Sequence, residues 1–205
     1  MNTPAYDDLT THFTRLHHYA HLGSIVSWDR AANMPPKGND ARASAMAELA
    51  ALMHRLRTEP SLSDRIARAE QEPLSDHQRA NLREIRREWQ LATALPESLV
   101  TRQELATSRC EHAWRTQRPA NDWKGFLVHW KPVVALAREE ASRLAEQTGL
   151  SKYDAMMDRY EPGMRGEQVS RVFGAVRQWL PSLIDRVALR QSHDKVIEAR
   201  GPFPI

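Results

Sequence analysis

Nine histidines in 205 residues invite a search for metal ligands. A helical zinc centre of the peptidase type sets two histidines four residues apart, so that both imidazoles leave one helix face. A glutamate beside the first then activates the bound water. His17 and His21 form the pair at that spacing, but position 18 is His rather than Glu, and the sequence marks no acidic third ligand. The trio His17, His18 and His21 therefore reads as a solvent-facing helix segment able to capture an adventitious metal. His54, His77, His112, His129 and His193 are isolated in sequence and read as ordinary core or surface histidines.

Other reactive groups fare no better. Cys110 has Arg109 and Glu111 beside it and His112 two residues on, spacings that do not share a helix face, so it reads as a semi-buried thiol rather than a nucleophile. Asp154 and Asp158 stand four apart, the spacing of a carboxylate pair for acid/base work. Lys152 and Arg159 beside them favour a solvated salt-bridge cluster instead. Arg83, Arg86 and Arg87 are interleaved with Glu84 and Glu88, as on an exposed helix with internal ion pairs. Trp28, Trp89, Trp114, Trp123, Trp130 and Trp179 read as packing anchors rather than stacking platforms. There is no glycine-rich phosphate loop and no Ser-His-Asp signature. No catalytic, cofactor-binding or metal-ligating residue is assigned.

The elements that carry these residues read as helices throughout. Only 8 glycines occur, and Ala, Leu, Arg and Glu dominate, which favours an all-α array of antiparallel helices, elongated and bent at internal prolines. Apolar spacing predicts a helix from Tyr6 to about Ala31, ended by Met34-Pro35-Pro36-Lys37-Gly38, and a second, capped by Asp40, to about Arg57. A short helix is expected over Ser61 to Glu70. The capping box of Ser75 and Gln78 opens another through about Ala94. Two more are expected from Pro96 to about Gln117 and from the Asp122 cap to Gly149, the latter kinked at Pro132. Tyr153 to Arg159 and Gly166 to Gln191, bent at Pro181, complete the set. The whole of 1–205 reads as a single helical region.

Charge and composition set further limits. Lys and Arg number 29 against 26 acidic residues, a formal +3, but the basic residues are spread among acids along the chain. A nucleic-acid partner is not expected from that pattern, because such proteins concentrate positive charge on one face. One cysteine cannot form an internal disulfide, the N-terminus lacks a secretory pattern, and no run approaches the roughly 18 apolar residues of a membrane span. A cytoplasmic location without membrane contact is the expectation.

Two segments carry a more specific signal. Trp28-Asp29-Arg30-Ala31-Ala32-Asn33-Met34-Pro35-Pro36-Lys37-Gly38, followed by Ala41-Arg42-Ala43 and Leu52-Met53-His54, closely resembles the early motif of the thermostable metallocarboxypeptidases, the carboxypeptidase Taq family. Tyr153-Asp154-Ala155-Met156-Met157-Asp158-Arg159-Tyr160-Glu161-Pro162-Gly163-Met164 resembles a second segment of that family, in the family's order and at about its separation. Gly201-Pro202-Phe203-Pro204-Ile205 is similar to the family's lead-in to its catalytic segments.

The resemblance implies a large, mainly helical cleft, commonly in a dimer, that removes the C-terminal residue from peptides. In such enzymes a divalent metal, usually zinc, polarises the scissile carbonyl and activates water, with a motif glutamate as base. The family's His-Pro-Phe, Asp-x-Arg-x-Thr and His-Glu-x-x-His segments and its acidic metal ligand find no match in these residues. The expectation is an N-terminal helical scaffold that is inactive by itself and binds no cofactor. Its partners would be the catalytic portion, a second copy in a homodimer and, in the full-length enzyme, a peptide substrate. The alternative is a stand-alone helical interaction or dimerisation module. Helices that pack against absent polypeptide would expose apolar surface and favour self-association; Met156, Met157, Phe173 and Leu180 are the candidates for it, the alternative being that they fill this region's own core.

Overall fold

The computed structural model describes residues 2–195 and 201–202; Phe203 to Ile205, the end of the third segment of resemblance, lie outside the described residues. Among the described residues the chain is all-α, with no strand. The helices are α1 (Pro4–Ala32), α2 (Asn39–Arg57), α3 (Leu62–Glu70), α4 (Asp76–Thr93), α5 (Glu97–Gln117), α6 (Trp123–Thr148), α7 (Lys152–Met157) and α8 (Gly166–Gln191), with a 3-10 turn at Pro36–Gly38.

Helix boundaries follow local chemistry. Ser75 Oγ accepts from the Gln78 amide at 3.3 Å while the Ser75 amide donates to Gln78 Oε1 at 2.9 Å, the reciprocal capping box expected at the start of α4. Asp122 Oδ1 accepts from the Gly125 amide at 2.9 Å and opens α6. Gly149 closes α6 at φ +69°, a left-handed conformation that costs least without a Cβ. Asp40 behaves differently from expectation: α2 already begins at Asn39, so Asp40 lies inside the first turn and makes no cap. Its charge still complements the amide end of the helix dipole. Pro132 and Pro181 both lie within helices, as expected.

The chain divides into two compact units, residues 1–155 and 156–205. In the first, α1 packs on α2, α3 and α4, α2 packs on α5, and α5 packs on α6. Pairing across the helices shows neighbours running antiparallel. On α1 and α2, Asp29 meets Arg42 while His12 meets Leu56. On α2 and α5, Asn39 meets Ser108 while Arg55 meets Glu97. Ala43, Ala47 and Ala51, one every four residues, form the buried stripe of α2, and their small side chains let its neighbours approach closely.

The core lies where α1, α3 and α4 converge. Tyr6, Leu9, Leu62, Ile66, Ala69, Leu74, Leu82 and Ile85 form one buried cluster, with Phe13 and Trp89 packed against it. α3 has nine residues, too few to persist alone, since isolated helices below roughly 12–15 residues are marginal in water. It exists because Leu62, Ile66 and Ala69, spaced by four and three, are withdrawn from solvent, each large side chain contributing about 1.5–3 kcal/mol.

A polar contact closes the same core. No side chain of α1 caps its first turn. Glu72, from the connection between α3 and α4, does so instead: its carboxylate accepts from the amides of Ala5 at 2.8 Å and Tyr6 at 3.0 Å. Those amides are among the four that a helix leaves without internal partners. Glu72→Gln is expected to lower stability by about 1 kcal/mol and Glu72→Ala by about 2 kcal/mol, in line with losses of charged helix caps. Urea unfolding of the three proteins measures this, and a Glu72→Ala midpoint equal to wild type would refute it.

The second unit contains α8. This helix of 26 residues carries Val169, Val172, Phe173, Val176, Trp179, Leu180, Leu183, Ile184 and Val187, yet none of its residues is buried.

Candidate functional site

The segment from Trp28 to Gly38 begins in the last turn of α1. There the chain leaves the helix with the amides of Asn33 and Met34 both donating to the Asp29 carbonyl at 2.9 Å. The Asp29 carboxylate accepts from Arg42 Nε on α2. Arg30 reaches α5, at 2.8 Å from Glu111 and 3.8 Å from Glu104. Arg115 completes the cluster, donating from Nη1 to the Arg30 carbonyl at 2.9 Å and pairing with Glu111 at 2.9 Å. That carbonyl is one of the last four of α1, which a helix leaves open, and a guanidinium suits the negative end of the helix dipole. Beneath the cluster, buried Ser108 donates to Oδ1 of buried Asn39 at 3.3 Å. The charged residues of the segment thus lock α1 to α2 and α5, while Trp28 stands outward, 64% exposed.

The second segment, around α7, is organised by its carboxylates. Ser151 Oγ donates to Asp154 Oδ2 at 2.9 Å and accepts from the Asp154 amide at 3.1 Å, which shapes the start of α7. Asp158 Oδ1 accepts from the Gly163 amide at 3.0 Å and from Arg165 Nη1 at 2.9 Å, holding the turn in which Gly163 adopts φ +85°. Each carboxylate therefore has a structural task. The expected salt-bridge character holds for Asp158, with Arg165 as the partner that spacing did not reveal.

The remaining candidates are dispersed. His17, His18 and His21 are exposed on α1. Among the described residues no group of three His, Cys, Asp or Glu side chains converges to hold a metal ion. His12, near the core, donates from Nε2 to the Leu56 carbonyl at 2.9 Å. His112 Nδ1 is buried and has no hydrogen-bond partner. Arg83 and Arg87 sit 3.7 and 3.9 Å from Glu84 within α4, but Arg86 pairs with Glu70 of α3 at 2.8 Å and Glu88 with Arg57 of α2 at 3.8 Å, so charges expected to pair within the helix also tie it to its neighbours.

The tryptophans depart from their reading as packing anchors. Trp89 packs against the core, but Trp28, Trp114, Trp123, Trp130 and Trp179 are all exposed. Trp123, Phe126 and Trp130 make a ladder along α6 with ring centroids 5.7 and 5.9 Å apart, and Trp114 joins Trp123 and Phe126 around a small cavity of about 110 Å³. Spacing on an amphipathic helix identifies an apolar face but not whether a neighbour is present to cover it.

Comparison with known proteins places this helical framework in a class. The family model of the carboxypeptidase Taq (M32) metallopeptidases matches residues 8–205, and the chain belongs to that family. Thermostable carboxypeptidase 1 of Thermus thermophilus is 33% identical over 213 aligned positions, covering 98% of this chain and 42% of the relative. Thermostable carboxypeptidase 1 of Pyrococcus furiosus is 28% identical over 176, covering 85% of this chain and 35% of the relative. Among solved structures, Trypanosoma cruzi metallocarboxypeptidase 1 superposes with a TM-score of 0.80 at 42% identity, covering 99% of this chain and 41% of its own. The Pyrococcus furiosus carboxypeptidase superposes with a TM-score of 0.75 at 26% identity, covering 93% of this chain and 38% of its own. The chain therefore spans about two-fifths of the length of the relatives it matches.

A metallopeptidase family implies a divalent metal. The described residues do not fit one, since no three suitable donors converge and a catalytic zinc site takes three protein ligands.

Two titratable groups show what burial does here. His54, buried at the end of α2, has its pKa lowered, chiefly by desolvation of the imidazolium, with Glu97 opposing and Arg57 reinforcing the shift. The unfolded chain then binds a proton more readily than the native one as pH falls below about 6.5. Stability from this group is complete above that pH and is lost as pH falls toward the depressed native value. The thermal midpoint of wild type is expected to fall more steeply between pH 7 and 5 than that of His54→Gln, and parallel profiles would refute this. Burial also pushes the Cys110 thiol up, leaving little thiolate at neutral pH. Iodoacetamide is expected to label Cys110 far more slowly in the native chain than in urea, and equal rates would contradict an inert, structural thiol.

Proposed function

We propose that this chain is the N-terminal helical framework of a metal-dependent carboxypeptidase, forming one wall of a substrate cleft and supporting a catalytic portion supplied by further polypeptide. The observation that carries this reading is the disproportion of the family match: nearly the whole of this chain corresponds to only about two-fifths of each relative. Both units serve this one framework, in the cytoplasm, and the complete enzyme removes C-terminal residues from peptides with zinc or another divalent ion held by residues beyond those described. A homodimer belongs to the same reading.

The role of this part is geometric. The Arg30, Glu111 and Arg115 cluster fixes the end of α1 against α5, which sets where the outward Trp28 stands. A second reading, a helical interaction module without catalysis, draws on the exposed apolar residues of α8.

The two readings separate in a chimera in which residues 1–205 replace the matching two-fifths of the Thermus thermophilus relative. Loaded with zinc, the chimera is expected to release C-terminal amino acids from an N-blocked peptide, while this chain alone releases none. Enzymes accelerate such reactions by at least about 10⁶-fold, so even slight competence is measurable. A folded, metal-loaded chimera without turnover would favour the interaction module, and chelator-sensitive release by the chain alone would overturn the scaffold reading.

A further inference from the structure

The apolar residues of α8 form one continuous stripe. Val169, Phe173, Val176, Leu180, Leu183 and Val187 succeed one another at spacings of 4, 3, 4, 3 and 4, with Val172 and Trp179 along one side and Ile184 along the other. At 100° per residue these nine side chains span roughly 140° of the helix surface. Over 26 residues the helix is about 39 Å long. The stripe is open: Phe173 is 61% exposed and Ile184 56%, and Phe173, Val176, Leu180, Pro181 and Ile184 line a shallow groove of about 600 Å³. A water-facing helix does not spend nine large apolar residues on one side, and a contiguous patch of this kind marks a docking surface.

Two observations identify the occupant. The stripe is wider than the two-position seam of a coiled coil, the width of a helix seated in a core of several helices rather than against one copy of itself. The structural match covering 99% of this chain takes in α8, and beyond the matched two-fifths the relative has about three-fifths more polypeptide. We infer that the apolar face of α8 is the docking surface for the polypeptide that continues beyond this region in the longer family members, an inference resting on the scaffold reading. Arg177 borders one edge of the stripe and Arg186 the other. Asp185 lines the groove beside Arg177, so the complementary surface is apolar at its centre and needs a carboxylate only on the rim facing Arg186.

The test compares Phe173→Ala, Leu180→Ala and Ile184→Ala, combined, in two backgrounds. Alanine has the highest helix propensity, so the substitutions do not weaken α8 as a helix. In this chain alone, where Phe173 and Ile184 are exposed and Leu180 is half-buried, they are expected to shift the thermal midpoint by no more than about 2 °C and to reduce binding of a hydrophobic dye. In the chimera with the Thermus thermophilus relative, α8 amides are expected to exchange more slowly than in this chain alone, and the same substitutions to lower the midpoint by roughly 5 °C or more. Equal α8 exchange in both proteins, an unchanged chimera midpoint or a chimera that does not fold would overturn the inference. So would a concentration-dependent dimer of this chain, seen by sedimentation and dissolved by the substitutions, which would make a second copy the occupant. The two proposals fail separately. A chimera with protected α8 and no turnover sinks the enzymatic reading alone, and one that turns over with α8 unprotected sinks this inference alone.

Discussion

α1 is held at both ends by charges that come from elsewhere in the chain. At its start Glu72 accepts from the amides of Ala5 and Tyr6, and near its end Arg115 donates to the carbonyl of Arg30. A helix leaves donors open at its first turn and acceptors at its last, and the aligned peptide dipoles add partial charges of the same sense. A carboxylate at one end and a guanidinium at the other answer both demands. Because α1 packs against α2, α3 and α4 and reaches α5 through Arg30, fixing its two ends orients the rest of the first unit.

The apolar side of the structure is unevenly satisfied. Where α1, α3 and α4 meet, Leu9, Leu62 and Ile66 are withdrawn almost completely from water, and between α2 and α5 an alanine stripe permits close approach. Elsewhere large apolar groups face solvent, along α8 and on the aromatic ladder of α6. A chain that satisfied all its own faces would not distribute burial in this way. The chain spans about two-fifths of the length of the relatives it matches.

The residues that carry the family resemblance are structural in this region. Asp29, Arg30 and Arg42 tie helices together, and Asp158 organises a turn with Gly163 and Arg165. Among the described residues no group of three His, Cys, Asp or Glu side chains converges. By fixing the end of α1, Asp29, Arg30 and Arg42 set the position of groups that protrude from it, Trp28 among them.

Helix content, most boundaries and family membership were legible in the sequence, because they depend on neighbours within four residues or on contiguous motifs. The Ser75 and Gln78 box, the Asp122 cap and the Gly149 stop are local chemistry and stand as read. Glu72 and Arg115 were not legible, since they act across 67 and 85 residues and no periodicity marks a partner so distant. Nor could spacing tell which apolar faces are covered: Ile66 and Ile184 both lie on helical stripes, yet one is buried and the other exposed. Amphipathic order belongs to a single helix and is written in its residues, whereas burial belongs to a pair of surfaces, and only tertiary packing brings the second one.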